Sequence, residues 1–205
     1  MLPVITIARQ YGSGGHVIGE GVAKALGVPY YDKELIVLAA KRGGYSEESF
    51  EYVDERATNS LLYSMVMGNY VYGSKGLEPA ELPINDKLYI IQSEIIRRAA
   101  QEGPCVVVGR CGDDILREHK PLLRCFIYGE KADRIRRLVS LGTVEEKKAA
   151  DFITKQDKRR GNYYHFYTGN RWDEMGNYDL SIQSSTVGID GAISLLVHAA
   201  TQMDR

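Results

Sequence analysis

The stretch that most constrains the fold is residues 4–27, where a buried strand, a glycine turn and a helix follow one another without a break. Val4, Ile5, Thr6, Ile7 and Ala8 form a short run dominated by β-branched apolar residues. Such a run suits the pleated, buried surface of an interior strand. It stops at the segment Arg9-Gln10-Tyr11-Gly12-Ser13-Gly14-Gly15-His16. Ile18, Val22, Ala25 and Leu26 then recur near helical spacing, and Gly27 supplies a C-terminal stop. Residues 28–32 resume an extended path. Strand, glycine loop, helix and strand make a βαβ opening, which argues for an α/β chain with a parallel sheet.

Residues 33–101 read as mostly helical. Residues 34–40 predict one short helix. Ser46 is placed to cap a second, whose first turn carries Glu47 and Glu48 as the helix dipole favours. Residues 66–83 are rich in Gly and Pro and predict an exposed connection. Asn85 is placed to cap a long helix with Leu88, Ile91, Ile95 and Ala99 on one face, ended by Gly103-Pro104. Residues 105–108 are the most strand-like run in the chain and lead into Gly109-Arg110. Residues 122–128 predict a further strand, followed by a basic helix in which Arg134, Arg136 and Arg137 predict a solvated face. Residues 144–160 predict a charged helix. Residues 161–178 are aromatic and glycine-containing, with no clear period. Residues 178–183 predict the last strand and residues 188–203 the closing helix. Neither internal repeats nor low-complexity tracts occur.

With 205 residues, 44% of them hydrophobic and 26% charged, the chain is sized for one α/β domain with a sizeable core. Its net charge of -1 gives no global pull toward nucleic acid or an anionic membrane. No apolar run approaches the roughly 20 residues of a membrane span. The N-terminus has neither the basic region nor the cleavage site of a signal peptide. Cys105, Cys111 and Cys125 form no CxxC pair, so reduced thiols in a cytoplasmic protein are the expectation. His119, His165 and His198 show no metal-ligand spacing, and no metal ligand is assigned.

The glycine segment carries the chemistry. Small residues let the backbone wrap an anion, and the following helix start offers unpaired N–H groups and the positive end of a dipole. A bound phosphate group is therefore expected at residues 12–16. Two known patterns bear on it. The dinucleotide pattern finds Gly12 and Gly14, but its third glycine is Val17; Asp32 lies 20 residues beyond Gly12, where a ribose-binding acid would stand. The Walker A pattern, with Gly14 as its second glycine, puts Arg9 at the first glycine, Gly15 at the lysine and His16 at the magnesium-holding hydroxyl.

Four stretches, taken in order, resemble the cytidylate kinase-like proteins, relatives of the nucleoside monophosphate kinases. They are ITIARQYGSGGHVIGEGVAKALGVPYYDKELI, CVVVGRCGDDIL at 105–116, LRCFIYGEKADRIRRL ending at 138, and DKRRGNYYHFYTGNRWDEMGNYDLSI at 157–182. The resemblance runs across nearly the whole chain. It implies a three-layer P-loop kinase-like fold in a single domain over residues 1–205. Its parts would be a parallel β-sheet core, a helical monophosphate-binding insertion at about 33–101 and an arginine-bearing lid at about 157–178. It also implies an ATP-dependent phosphotransferase using ATP and Mg2+, whose acceptor is a nucleoside monophosphate or a similar small molecule.

Residue by residue, Gly12, Ser13 and Gly14 match the loop that wraps the donor phosphates, with Gly15, His16 and Arg9 beside them. Arg110 matches the arginine that follows a strand-end glycine and contacts the monophosphate. Asp157 and Arg160 fit an Asp-x-x-Arg in which the acid meets the acceptor and the arginine meets phosphate. Arg159 and Arg171 are further lid cations, and Asp32 stands at an acidic position on the acceptor side. The chain departs from the pattern in three places. Gly15 stands in place of the phosphate-bridging lysine. Cys111 stands where an acid follows the arginine, with Asp113 or Asp114 as substitutes. The Thr-Gly and arginine that follow Asp32 in the family are absent, with Lys33 or Arg42 nearby.

Phosphoryl transfer depends on positioning and charge neutralisation, and the planar arginine fork binds phosphate oxygens in pairs. Arg110, Arg159 and Arg160 are accordingly the candidate catalytic cations. Tyr163, Tyr164, Phe166, Tyr167 and Trp172 are expected to pack the lid. Two rival readings stand beside the kinase: a catalytically silent nucleotide-binding protein, motivated by the absent lysine, and a dinucleotide-dependent enzyme, motivated by Gly12, Gly14 and Asp32.

Overall fold

A computed structural model of the chain describes residues 2–32 and 84–203. The expectations for residues 34–40, Ser46 and residues 66–83, together with Lys33 and Arg42, lie outside the described residues. In chain order the elements are β1 (Val4–Arg9), α1 (Gly15–Leu26), β2 (Tyr30–Tyr31), α2 (Ile84–Glu102), β3 (Val106–Val108), α3 (Gly112–Ile115), β4 (Leu122–Tyr128), α4 (Lys131–Ser140), α5 (Glu146–Thr168), β5 (Leu180–Gln183) and α6 (Ser184–Gln202).

The strands form one sheet in the order β2-β3-β1-β4-β5, with every pair parallel. β1 is central, and β4 pairs with it along its full length, Val4 opposite Leu122 to Arg9 opposite Ile127. Successive side chains alternate between two cores. Ile5, Ile7, Val106, Val108, Cys125 and Ile127 pack against Ile18 and Val22 of α1 and Ala192 and Leu196 of α6. On the opposite face, Val4 and Val107 pack with Ile96, Ala99 and Ala100 of α2, Ile115 of α3, and Tyr163 and Tyr164 of α5. A strand covered on both faces is apolar throughout rather than alternating. That explains the unbroken apolar runs at 4–8 and 105–108, and the three layers match the expected P-loop kinase-like architecture.

The sheet order removes the dinucleotide reading. In that fold β2, which carries the ribose-binding acid, lies directly beside β1. Here β3 lies between them, so Asp32 at the end of β2 is displaced by one strand.

Three element boundaries differ from the sequence expectation. α5 does not stop near residue 160 but runs through Gly161 to Thr168. A glycine inside a helix costs about 1 kcal/mol, whereas burying an aromatic side chain gains roughly 1.5–3 kcal/mol. Tyr163 and Tyr164 are both buried, and Tyr167 stacks on Tyr89 of α2 with ring centres 3.9 Å apart. The aromatic segment is thus a packed helix end. α6 begins at Ser184, before the expected start at Gly188, where the backbone kinks at φ 73. Asn85 lies within the first turn of α2 rather than capping it.

Cys105, Cys111 and Cys125 are all buried, and none of them is in a disulfide. Burial, with Glu102 nearby, pushes the Cys105 thiol up to about 11, which leaves it protonated at neutral pH. Among the described residues, no helix is long and apolar enough to cross a membrane.

Candidate functional site

β1 ends at Arg9, and the chain turns through Gly12 and Gly14 before α1 starts at Gly15. Gly12 and Gly14 sit at φ 78 and 83, a region that residues with a Cβ enter only at a cost of roughly 1–2 kcal/mol. The turn is held by one local bond and by side chains distant in sequence. Ser13 Oγ donates to the Gln10 carbonyl at 2.9 Å, and the Ser13 carbonyl accepts from Ser184 Oγ at 2.7 Å. The Tyr11 N–H donates to Asp157 Oδ1 at 2.8 Å. Arg134 donates from Nε to the Tyr11 carbonyl at 2.7 Å and from Nη1 to Gln10 Oε1 at 3.1 Å. Its Nη2 ion-pairs with Asp157. The Gly129 N–H also donates to Gln10 Oε1, at 3.2 Å. The loop is therefore a preset cradle.

Arg134 overturns part of the expected solvated face of α4, because only 5% of its surface is exposed. Arg137 is half-buried and its guanidinium lies beside Gly14, with Nη1 3.0 Å from where a Cβ would stand. Arg136 alone fits the expectation, being exposed and ion-paired with Asp133.

Above the carboxyl ends of β1 and β3, Arg9, Arg110 and Arg160 line one small cavity of about 20 Å³ together with Tyr163, Tyr164 and Trp172. Arg160 is fixed there by two contacts. Its Nη1 donates to the Arg9 carbonyl at 2.9 Å, and its guanidinium carbon lies 5.0 Å from the centre of the Tyr11 ring. Arg110 is buried, and its Nη2 has no hydrogen-bond partner among the described residues. An unsatisfied buried donor costs about 1–3 kcal/mol, and a phosphate oxygen is the kind of acceptor that removes that cost. The backbone there is also strained. Gly109, Arg110 and Cys111 have φ of 77, 61 and 55, and left-handed residues other than glycine concentrate at functional sites. A larger hollow of about 370 Å³ lies between α2 and α3, lined by Tyr89, Arg97 and His119 among others. It contains no residue of the glycine loop and does not gather the cations.

Asp113, considered from sequence as a substitute acid, lines the same cavity. Burial lifts its carboxyl above the ordinary carboxylate range, opposed by the Tyr164 hydroxyl, which donates to Oδ2 at 2.6 Å. A raised folded value means that Asp113 contributes stability fully below its unfolded pKa, near 4, and loses that contribution as pH rises through the folded value. Asp113→Asn is expected to flatten this decline. Urea unfolding between pH 4 and 8 measures it; parallel pH profiles for the two proteins would contradict it.

The other expected residues fall in three places. His16 Nδ1 lies 2.9 Å from the Tyr30 hydroxyl and 3.4 Å from Asp32 Oδ2, joining the start of α1 to the end of β2. Asp157 has both carboxylate oxygens engaged by the loop and Arg134, rather than facing an open acceptor space. Arg159 is half-buried on α5. Arg171 is exposed and pairs with Asp173 at 3.3 Å, outside the cation cluster. Gln10 and Ser184 carry no functional expectation from the sequence, and Arg134 and Arg137 are expected there only as a solvated face. Nothing local marks them, since their contacts with the loop span 124 residues for Arg134–Gln10 and 171 for Ser184–Ser13.

No group of three His, Cys, Asp or Glu side chains placed to hold a metal ion occurs among the described residues.

Comparison with solved structures gives the same architecture. A protein described as uncharacterized from Eubacterium ventriosum is 25% identical, with a TM-score of 0.73 over 98% of this chain and 99% of that one. A shikimate kinase from Bacteroides thetaiotaomicron is 12% identical, with a TM-score of 0.54 over 98% and 99% of the two chains. A gluconokinase from Sinorhizobium meliloti is 18% identical, with a TM-score of 0.55 over 98% and 95%. The two kinases share the fold with this chain. No match was found among curated proteins. Residues 4–186 match the family model described as "Cytidylate kinase-like family". The match spans the cradle and all three cavity arginines, and the chain belongs to the cytidylate kinase-like family.

Proposed function

We propose that the chain is an ATP-dependent phosphotransferase whose acceptor is a nucleoside monophosphate or a similar small phosphorylated molecule. The observation that carries this reading is Arg110. It is a buried cation with an unpartnered Nη2, held in a strained conformation beside Arg9 and Arg160 at the strand ends. Membership of the cytidylate kinase-like family supports it. In this reading the backbone of Gly12, Ser13 and Gly14 wraps the donor phosphates. Arg110 and Arg160 clamp the transferred and acceptor phosphates. Asp157 and Arg134 hold the loop in place, which keeps the cost of organising the site out of the reaction step.

The arginine cluster and the glycine cradle offer the positive charge and backbone N–H groups that suit a phosphate group of ATP, and the cavity of about 20 Å³, room for about one water, would widen to admit it. Magnesium prefers oxygen ligands. His16 stands where a metal-holding hydroxyl would be, and Asp32 Oδ2 lies 3.4 Å from its Nδ1. Bound magnesium would neutralise phosphate charge. The arginines would orient the oxygens, and the buried tyrosines and Trp172 would exclude water from the cavity.

The silent nucleotide binder is the second reading, motivated by the absence of a lysine at position 15. ADP release from ATP and magnesium separates the two, measured with CMP, dCMP and UMP and with shikimate and gluconate as acceptors without a phosphate. Turnover with a monophosphate supports the kinase. ATP binding without turnover on any acceptor supports the silent binder.

A further inference from the structure

A phosphate loop that lacks its lysine needs another cation at its rim, and the structure has one whose path crosses the vacant position. We propose that Arg9 performs the task of the absent lysine, and that Gly15 is a glycine so that the Arg9 side chain can pass over it. The proposal rests on the phosphotransferase reading.

A Cβ added at Gly15 would stand 2.6 Å from Arg9 Cβ and 2.8 Å from Arg9 Cγ. One added at Gly109 would stand 2.0 Å from Arg9 Nη1 and 2.9 Å from its Cζ. The Arg9 stem therefore lies on Gly15, and its guanidinium lies on Gly109, next to Arg110. A Cβ at Gly15 would meet the root of the Arg9 side chain, which cannot step aside, whereas one at Gly109 would meet only its mobile end. Gly15 opens α1 and does not have the positive φ that Gly12 and Gly14 have. Its backbone thus has no need of glycine, and glycine is a poor helix former. What it provides is space, and Arg9 fills that space. The guanidinium ends in the cavity that Arg110 and Arg160 also line.

The sequence pattern has the same logic. In the lysine-type loop the first glycine is the small residue and the lysine follows the second glycine. Here Arg9 holds the first-glycine position and Gly15 the lysine position. The chain keeps one cation and one gap but exchanges them. Arg9 crosses the loop from the strand side, where the lysine would reach from the helix side. A guanidinium in that place grips two phosphate oxygens at once, which an ammonium does not.

The exchange can be reversed. Four proteins are compared by calorimetric titration of ATP with magnesium, with thermal melting as a control for folding: the parent chain, Arg9→Gly, Gly15→Lys, and the double variant. Arg9→Gly is expected to weaken ATP binding roughly tenfold to a hundredfold, the range for a charge-assisted hydrogen bond. Gly15→Lys is expected to weaken it as well, because the new stem collides with Arg9. The double variant recovers most of the loss. If Arg9→Gly melts early, Arg9→Met keeps the stem on Gly15, removes the charge and carries the same expectation. ATP binding by the parent chain with unchanged affinity in Arg9→Gly or Arg9→Met overturns the inference and leaves the phosphotransferase reading standing. A double variant no better than its well-folded single variants also overturns it. A parent chain that binds no ATP overturns both.

Discussion

Replacing Arg110 by glycine is expected to abolish phosphoryl transfer, by a factor of roughly 10³ or more, the range for an arginine acting on a transferred phosphoryl group, without lowering the melting temperature. Two effects favour the folded variant. The backbone at residue 110 has φ 61, which glycine adopts freely and other residues only at roughly 1–3 kcal/mol. The buried Nη2 without a partner is removed, which relieves about 1–3 kcal/mol of unmet desolvation. Against them stand the packing of the arginine stem, its contact with Tyr163, and about 0.5–1 kcal/mol for the greater freedom of glycine in the unfolded chain. The three buried methylenes of the stem are worth roughly 2.4 kcal/mol at about 0.8 each, so the terms roughly cancel. Stability kept where activity is lost is the signature of a residue kept for function. A drop of several degrees with transfer retained would make Arg110 a structural residue.

The second large effect is on stability. Asp157→Ala is expected to destabilise the chain by about 3 kcal/mol, because breaking one partner of a buried ion pair strands the other. The Arg134 side chain is 6% exposed and that of Asp157 20%, so solvent screens the pair little. The Tyr11 N–H loses its acceptor in the same variant, so the glycine loop loosens and ATP affinity falls with stability. Arg134→Met combined with Asp157→Leu is expected to recover only part of the stability: an apolar pair replaces a buried ion pair at little cost, but the Tyr11 N–H and carbonyl still lose their partners. Urea unfolding midpoints at neutral pH test this. A loss below about 1 kcal/mol for Asp157→Ala, the level of an exposed pair, would contradict it.

These two residues also mark what the sequence makes legible. The position of Arg110 is legible because it follows a strand-end glycine and the ends of parallel strands line the ligand crevice; its role in transfer is the proposal that the labelling experiment tests. β1, the glycine turn, α1 and β4 were legible for a similar reason: β-branched runs, glycine and helical spacing are local signals. The role of Asp157 was not. A carboxylate on a charged helix looks alike whether it faces an acceptor or anchors a loop. What distinguishes the two is the Tyr11 N–H, 146 residues away. The basic character of α4 predicts a solvated Arg134, yet its guanidinium is buried by Gln10, Tyr11 and Asp157 together. The continuation of α5 past Gly161 was hidden for the same reason, since Tyr163 and Tyr167 have a helical partner only when Tyr89 is brought beside them. Arg9 was visible as a cation near the loop, but its path over Gly15 emerges only from side-chain positions.

The most direct test of the account follows the γ-phosphate itself. ATP labelled at that phosphate is incubated with magnesium, CMP and either the parent chain or Arg110→Gly, and the labelled nucleotides are separated. Labelled cytidine diphosphate from the parent chain and none above background from the variant is the result the account predicts. Equal labelling by both proteins, or unlabelled acceptors throughout when dCMP, UMP, shikimate and gluconate have also been tried, would contradict it.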